Sequence, residues 1–414
     1  MGTESGVPAE MKTVSISGRR PQEAVSEATV QASCLGVPQR WLGAKSPFGL
    51  ALPDGHPSAS TMYAPRGVWL DDERLIVCDS GNHRILIWNS IPETDQALAD
   101  VVLGQPSFTC EGPAAGGRGP ENGLHLPTGV IVVEGRLLVA DAWHHRVLVW
   151  EEIPITSDTP PDYAIGQAGL RESDPNRGGK RSLQGLYWPY GIAWIKQRLY
   201  VTDTGNRRVL IWDGLPQPDQ PADWMLGQSE ESAGDENRGG PVAADSFRWP
   251  HDFAGVDDWL FVADAGNHRV LGWNRHPQQD APADCVIGQK DFVSAYEFPY
   301  DVQGARRLRF PYAVSSFRNV LAVADTANNR ILFWRIPLDG TCRAAAFDVA
   351  GQTDFAGSGE NRWESVSADT LCWPYGICFH QGTLAIADSG NNRVMLWDCR
   401  PIIESMNQIS NQQV

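Results

Sequence analysis

Short apolar runs broken by small polar residues recur along this chain at a near-constant interval. LIVCDSGNHRILIW, LLVADAWHHRVLVW, LYVTDTGNRRVLIW, LFVADAGNHRVLGW, LAVADTANNRILFW and LAIADSGNNRVMLW are six versions of one segment. Their aspartates are Asp79, Asp141, Asp203, Asp264, Asp325 and Asp388, so the period barely changes from one end to the other. An arginine follows each by five positions (Arg84, Arg146, Arg208, Arg269, Arg330, Arg393) and a tryptophan by nine. A proline precedes each aspartate at one fixed offset, from Pro65 before Asp79 to Pro374 before Asp388, and opens a run such as PYGIAWI. An apolar run ending in Gly-Gln follows, as in VVLGQ. Each unit reads as four strands, with Asx and Gly turn chemistry between the second and third. Six such units predict an all-β fold, a six-bladed β-propeller of four-stranded antiparallel blades.

The sixth unit lacks a Gly-Gln strand after Trp397. Arg40-Trp41-Leu42-Gly43 precedes the first unit by the repeat distance, Gly43 standing one period before Gly104. A strand near 40–44 is therefore expected to complete the last blade and close the ring without a free edge. The single propeller would span 36–400, with a disordered tail over 1–35 and a second tail over 401–414.

From each Gly-Gln glutamine to the next proline the interval is identical in all five complete cases, Gln105 to Pro127 through Gln352 to Pro374. The Trp-to-Gly interval varies, as from Trp212–Gly227 to the longer Trp334–Gly351. Length variation thus falls on one face of the disc. On the other face, crossing a blade needs only ~15 Å, or fewer than about ten extended residues. The constant segments are more than twice that long. This surplus, with an apolar residue three before every proline and Asn-Arg at 176–177, 237–238 and 361–362, predicts ordered loops packed as a lid ring.

The Pro-x-Gly-[Val/Ile] run followed by Val-x-Asp-x-Gly-Asn-x-Arg-[Val/Ile]-Leu-x-Trp resembles the NHL repeat over residues 40–399. The long Gly-Gln loops are similar to those of a bacterial-type subgroup. The resemblance implies the six-bladed propeller and leaves function open, because NHL propellers include scaffolds, RNA binders and lyases.

Composition narrows the classes. The 414 residues are 42% hydrophobic, enough for a large core, and carry a net charge of −16. That balance argues against a general binder of nucleic acid or anionic membranes. Eight cysteines form no CxxC pair and mostly fall in predicted strands, which fits a reducing compartment. With no leader-like segment and no apolar run long enough to span a bilayer, a cytoplasmic protein without membrane attachment is expected.

The sixfold Asp/Arg pairs and tryptophans read as architecture, since catalysis needs one asymmetric constellation. Departures from the repeat are more informative. Trp143-His144-His145 replaces Gly-Asn-x in blade two and is a candidate surface contact. The residue after each proline opens the innermost strand at the channel mouth on the long-loop face: Arg66, Thr128, Tyr190, His251, Tyr312 and Tyr375. Aromatic residues precede several of those prolines, Trp188, Trp249 and Trp373 among them, and blade four carries Asp252 where most blades have Gly. This mouth is the expected site for a protein, peptide or small ligand, on a monomeric, non-enzymatic scaffold. A lyase or hydrolase around His251 and Asp252 is the alternative reading, and an RNA-binding face the second. His380 lies at the far end of its strand from His251, too far to share a metal at bonds of ~2.1 Å. No metal site, catalytic residue or cofactor is expected.

Overall fold

The computed structural model describes residues 35–44, 55–277, 281–336 and 344–410. Within them the six repeats form six four-stranded antiparallel sheets. Five innermost strands begin at the repeat proline (Pro127–Val133, Pro189–Ile195, Pro250–Val256, Pro311–Phe317, Pro374–His380), and that of blade one is Gly67–Leu70. A proline suits the first position of a strand because it has no N–H to give the ladder. Each inner strand packs on the next, and the last on the first, so the ring closes around a central channel. Closure comes from the strand Val37–Leu42, which pairs antiparallel with Arg393–Asp398, Trp41 facing Met395 and Leu42 facing Val394. The core lies between blades: Tyr200 and Ile211 of blade three, for example, share one cluster with Phe253, Leu260 and Trp273 of blade four.

The repeated polar residues hold the lid loops. In every blade the buried arginine donates Nε to its aspartate at 2.6–3.0 Å. Its other nitrogens reach loop carbonyls on both sides. Arg269 Nη1 donates to Phe292 O in the following loop, while Nη2 donates to Ala243 O and Ser246 O in the preceding one. Arg84, Arg146, Arg208 and Arg330 do the same with their own loops. One guanidinium therefore clamps two successive lid segments, and this accounts for their fixed length. The Gly-Gln glutamine adds a clip: Gln167 Nε2 donates to His144 O and Asp174 O, joining turn to loop. The recurrent loop asparagines Asn176, Asn237 and Asn361 pair with turn asparagines Asn206, Asn267 and Asn391. Tryptophan Nε1 groups pin the variable connections on the opposite face, as Trp150 does to Thr159 O at 3.0 Å.

The segment expected as a C-terminal tail is in part a helix, Arg400–Ser410. Asp398 Oδ1 accepts the Arg400 N–H at 3.0 Å, and Pro401 sits in the first turn, where its missing N–H costs nothing. Ile402 and Ile403 bury against a cluster that includes Phe379 and Trp397. The expected N-terminal tail up to residue 34, and residues 411–414, lie outside the described residues. Six described cysteines are free thiols.

Candidate functional site

The six residues that follow the prolines do converge on the channel. They line one end of a cavity of about 650 Å³ that runs along all six inner strands to Asp71, Lys196 and His380. Instead of an open cup, the mouth holds an aromatic cluster. His251 packs between Tyr190 and Tyr312 at centroid distances of 4.3 Å each, Tyr312 meets Tyr375 at 4.7 Å, and Arg66 lies over the Tyr375 ring at 4.9 Å. Trp188 closes the edge, 6.3 Å from Tyr190 and 6.2 Å from His251. Thr128 is spent on architecture, its hydroxyl donating to Tyr190 O at 2.8 Å across the blade boundary.

His251 is fully buried, and its Nδ1 bonds to Trp249 O at 2.8 Å, so the carbonyl fixes the proton on Nδ1. Burial lowers its pKa to about 3, which keeps the ring neutral, with Nε2 an acceptor. Asp252 stands where most blades carry glycine. At Gly67, Gly191 and Gly376 an added Cβ would come within 2.1 Å of the next blade's carbonyl, so those blades need glycine. In blade four the Asp252 carboxylate instead accepts the Val314 N–H of the next blade at 3.1 Å. Burial raises its pKa to about 7. His380 lies at the other end of the channel and bonds to Asp72 at 2.9 Å. Among the described residues no group of three or more His, Cys, Asp or Glu is arranged to hold a metal.

The Trp143-His144-His145 triplet separates. Trp143 is the exposed member, half exposed and 5.7 Å from the His125 ring, and His145 is half-buried. His144 is buried, and its Nδ1 binds Asp141 Oδ2 at 2.8 Å, the bond that Asn206 and Asn267 make in their blades. A surface role for His144 is therefore corrected: it is a structural stand-in for asparagine. His145 accepts Trp188 N–H through Nδ1 at 3.1 Å and joins blade two to blade three. His83, His268, Asn329 and Asn392 make the same link at their boundaries. Arg207 has no acceptor, and there the Trp249 N–H goes to Asp264 instead. The signal was present in the sequence as a His or Asn in the variable position of Asn-x-Arg.

Trp249 stacks on Phe310 at 6.1 Å with Arg248 over its ring, and Trp373 donates Nε1 to Glu360 at 2.9 Å. Sequence reasoning had singled out Trp143 and Trp373 but not the whole of a second set. The exposed aromatic residues are Tyr63, Trp143, Tyr187, Tyr296, Phe298, Tyr300, Trp363 and Trp373. All eight sit in lid loops or in turns on the long-loop face, whereas the exposed large residues elsewhere, Val37, Ile91, Leu98 and Ile155, are aliphatic. The loop between blades four and five adds Val293 and Val302, both more than two-thirds exposed.

No protein-family model matches the chain. Among curated proteins it is similar to NHL repeat-containing protein 2 of Homo sapiens, 25% identical over 387 residues, covering 84% of this chain and 49% of that protein. The Gallus gallus protein of the same name is 25% identical, with 86% and 49% covered. The chain thus spans about half the length of these relatives. Among solved structures, a Bacteroides thetaiotaomicron protein of unknown function aligns with a TM-score of 0.45 at 16% identity, covering 84% of this chain and 73% of that one. A streptogramin B lyase aligns at 0.39 and 14% identity, covering 84% and 95%. At these scores neither likeness bears on function.

Proposed function

This chain being an NHL-repeat six-bladed β-propeller, we propose that it works as a non-enzymatic interaction scaffold whose long-loop face recognises a protein or peptide partner. One observation carries the reading: every exposed aromatic side chain among the described residues lies on that face. Aromatic side chains supply large contact area at low entropic cost and dominate interface energetics. The clamped lid loops support it too, because side chains on loops fixed by buried arginines lose little freedom on binding. A lyase or hydrolase at the mouth draws on the titratable Asp252, but the neighbouring His251 has its Nδ1 proton committed to a carbonyl and its ring enclosed by tyrosines.

The test is affinity capture of the tagged protein from its native cells, beside a Tyr296→Ser/Phe298→Ser/Tyr300→Ser variant and an Ile155→Ser variant on the opposite face. A stoichiometric protein retained by wild type and Ile155→Ser but lost by the triple variant is expected. Retention by all three, or loss with Ile155→Ser, would overturn the choice of face.

A further inference from the structure

The channel mouth contains polar groups with little to bond. The Arg66 side chain makes no ion pair among the described residues; the Tyr375 ring lies under it and the Tyr190 phenol faces it. Tyr190, only 3% exposed, has a hydroxyl without a hydrogen-bond partner of normal geometry, and fully buried His251 has an unpartnered Nε2. Leaving a buried hydroxyl or ring nitrogen without a partner is costly. The fully buried arginines of the repeat show the contrast, Arg269 spending its donors on a carboxylate and loop carbonyls. Arg66 stands out because its donors, and the phenols of Tyr190, Tyr312 and Tyr375 around it, are arranged about one end of the cavity.

We propose that the channel mouth is a binding site for the carboxylate of a small organic ligand, held by the Arg66 guanidinium and the Tyr190, Tyr312 and Tyr375 hydroxyls. The guanidinium fork matches a carboxylate in a two-pronged contact, and the phenols supply further donors. Below the mouth the lining includes Val68, Val130, Ile192, Ala313 and Ile377, which offer a compact hydrocarbon body apolar contact, beside Asp252, Ser315 and Ser316. The volume of about 650 Å³ is in the ordinary range for small-molecule sites. Arg66 is the cation at this end of the cavity, Lys196 lying at the other, and a lone guanidinium fork matches a monoanionic carboxylate. The site is separate from the lid-loop surface, and it stands or falls independently of the partner-binding reading.

Calorimetric titration of the full chain with butyrate, n-butanol and inorganic phosphate tests this. Saturable one-site butyrate binding is expected, with butanol and phosphate both weaker. Arg66→Gln should weaken butyrate by at least roughly tenfold, and Tyr312→Phe by a few-fold. If Arg66→Gln does not fold, as judged by circular dichroism, the Tyr312→Phe/Tyr375→Phe pair carries the test. Absence of saturable butyrate binding overturns the proposal. So do affinity unchanged in these variants and phosphate binding more tightly than butyrate.

Discussion

Three histidines, His83, His145 and His268, join neighbouring blades by accepting a backbone N–H through Nδ1. A protonated ring cannot do this. Burial lowers His83 and His268 to about 4, and His145 is lowered from the same cause. The unfolded chain takes up these protons near pH 6.5, whereas the folded chain takes them up only near 4 at His83 and His268 and at a lowered pH at His145. Their contribution is therefore complete above about pH 6.5 and is lost as pH falls toward 4, by at most about 1.4 kcal/mol per pH unit for each. Urea midpoints should be flat from neutral to mildly alkaline pH and drop below it. His268→Asn, which keeps an acceptor as Asn329 does, should reduce the slope. A second expectation concerns Arg269. Arg269→Met strands Asp264 and three loop carbonyls, at a cost of about 3–5 kcal/mol in urea unfolding, and should open the flanking loops to limited proteolysis. The Asp/Arg recurrence was legible as architecture. The arginine's remaining partners were not, because backbone carbonyls carry no residue type for a sequence to display.

Blades were the most legible elements, since strand period, turn residues and repeat spacing all pointed the same way. The closing strand was found from spacing alone, Gly43 standing one repeat before Gly104. Leu42 at its end is buried between Val394 and Met62 of adjoining blades. Leu42→Asp should therefore cost about 4 kcal/mol or more and yield a species that self-associates through the uncovered Arg393–Asp398 edge, read by light scattering. The C-terminal helix escaped notice because its polar composition outweighed two buried isoleucines, and a single apolar face on a few turns resembles a tail. Asp252 was noticed as a departure from Gly, but its bond to the Val314 N–H of the next blade depends on an inter-blade register that no local pattern encodes.

At the scale of the whole disc, the sequence distinguished the two faces by loop length, and the residues it set at the mouth line the channel. It did not tell which aromatics point outward. Trp188 and Trp373 hold the same repeat position, before Pro189 and Pro374, yet one packs on the Tyr190–His251 cluster while the other is 38% exposed. The outcome depends on loop packing around the arginine clamps, a property of the assembled ring. The same assembly sets a schedule for biosynthesis. The strand Val37–Leu42 leaves the ribosome far ahead of its partner Arg393–Asp398, by roughly 20–70 s at ordinary elongation rates. For that time its edge has no native neighbour, and blades one to five form as an unclosed arc. Nascent chains stalled before residue 393 should therefore recruit chaperones that released chains no longer need.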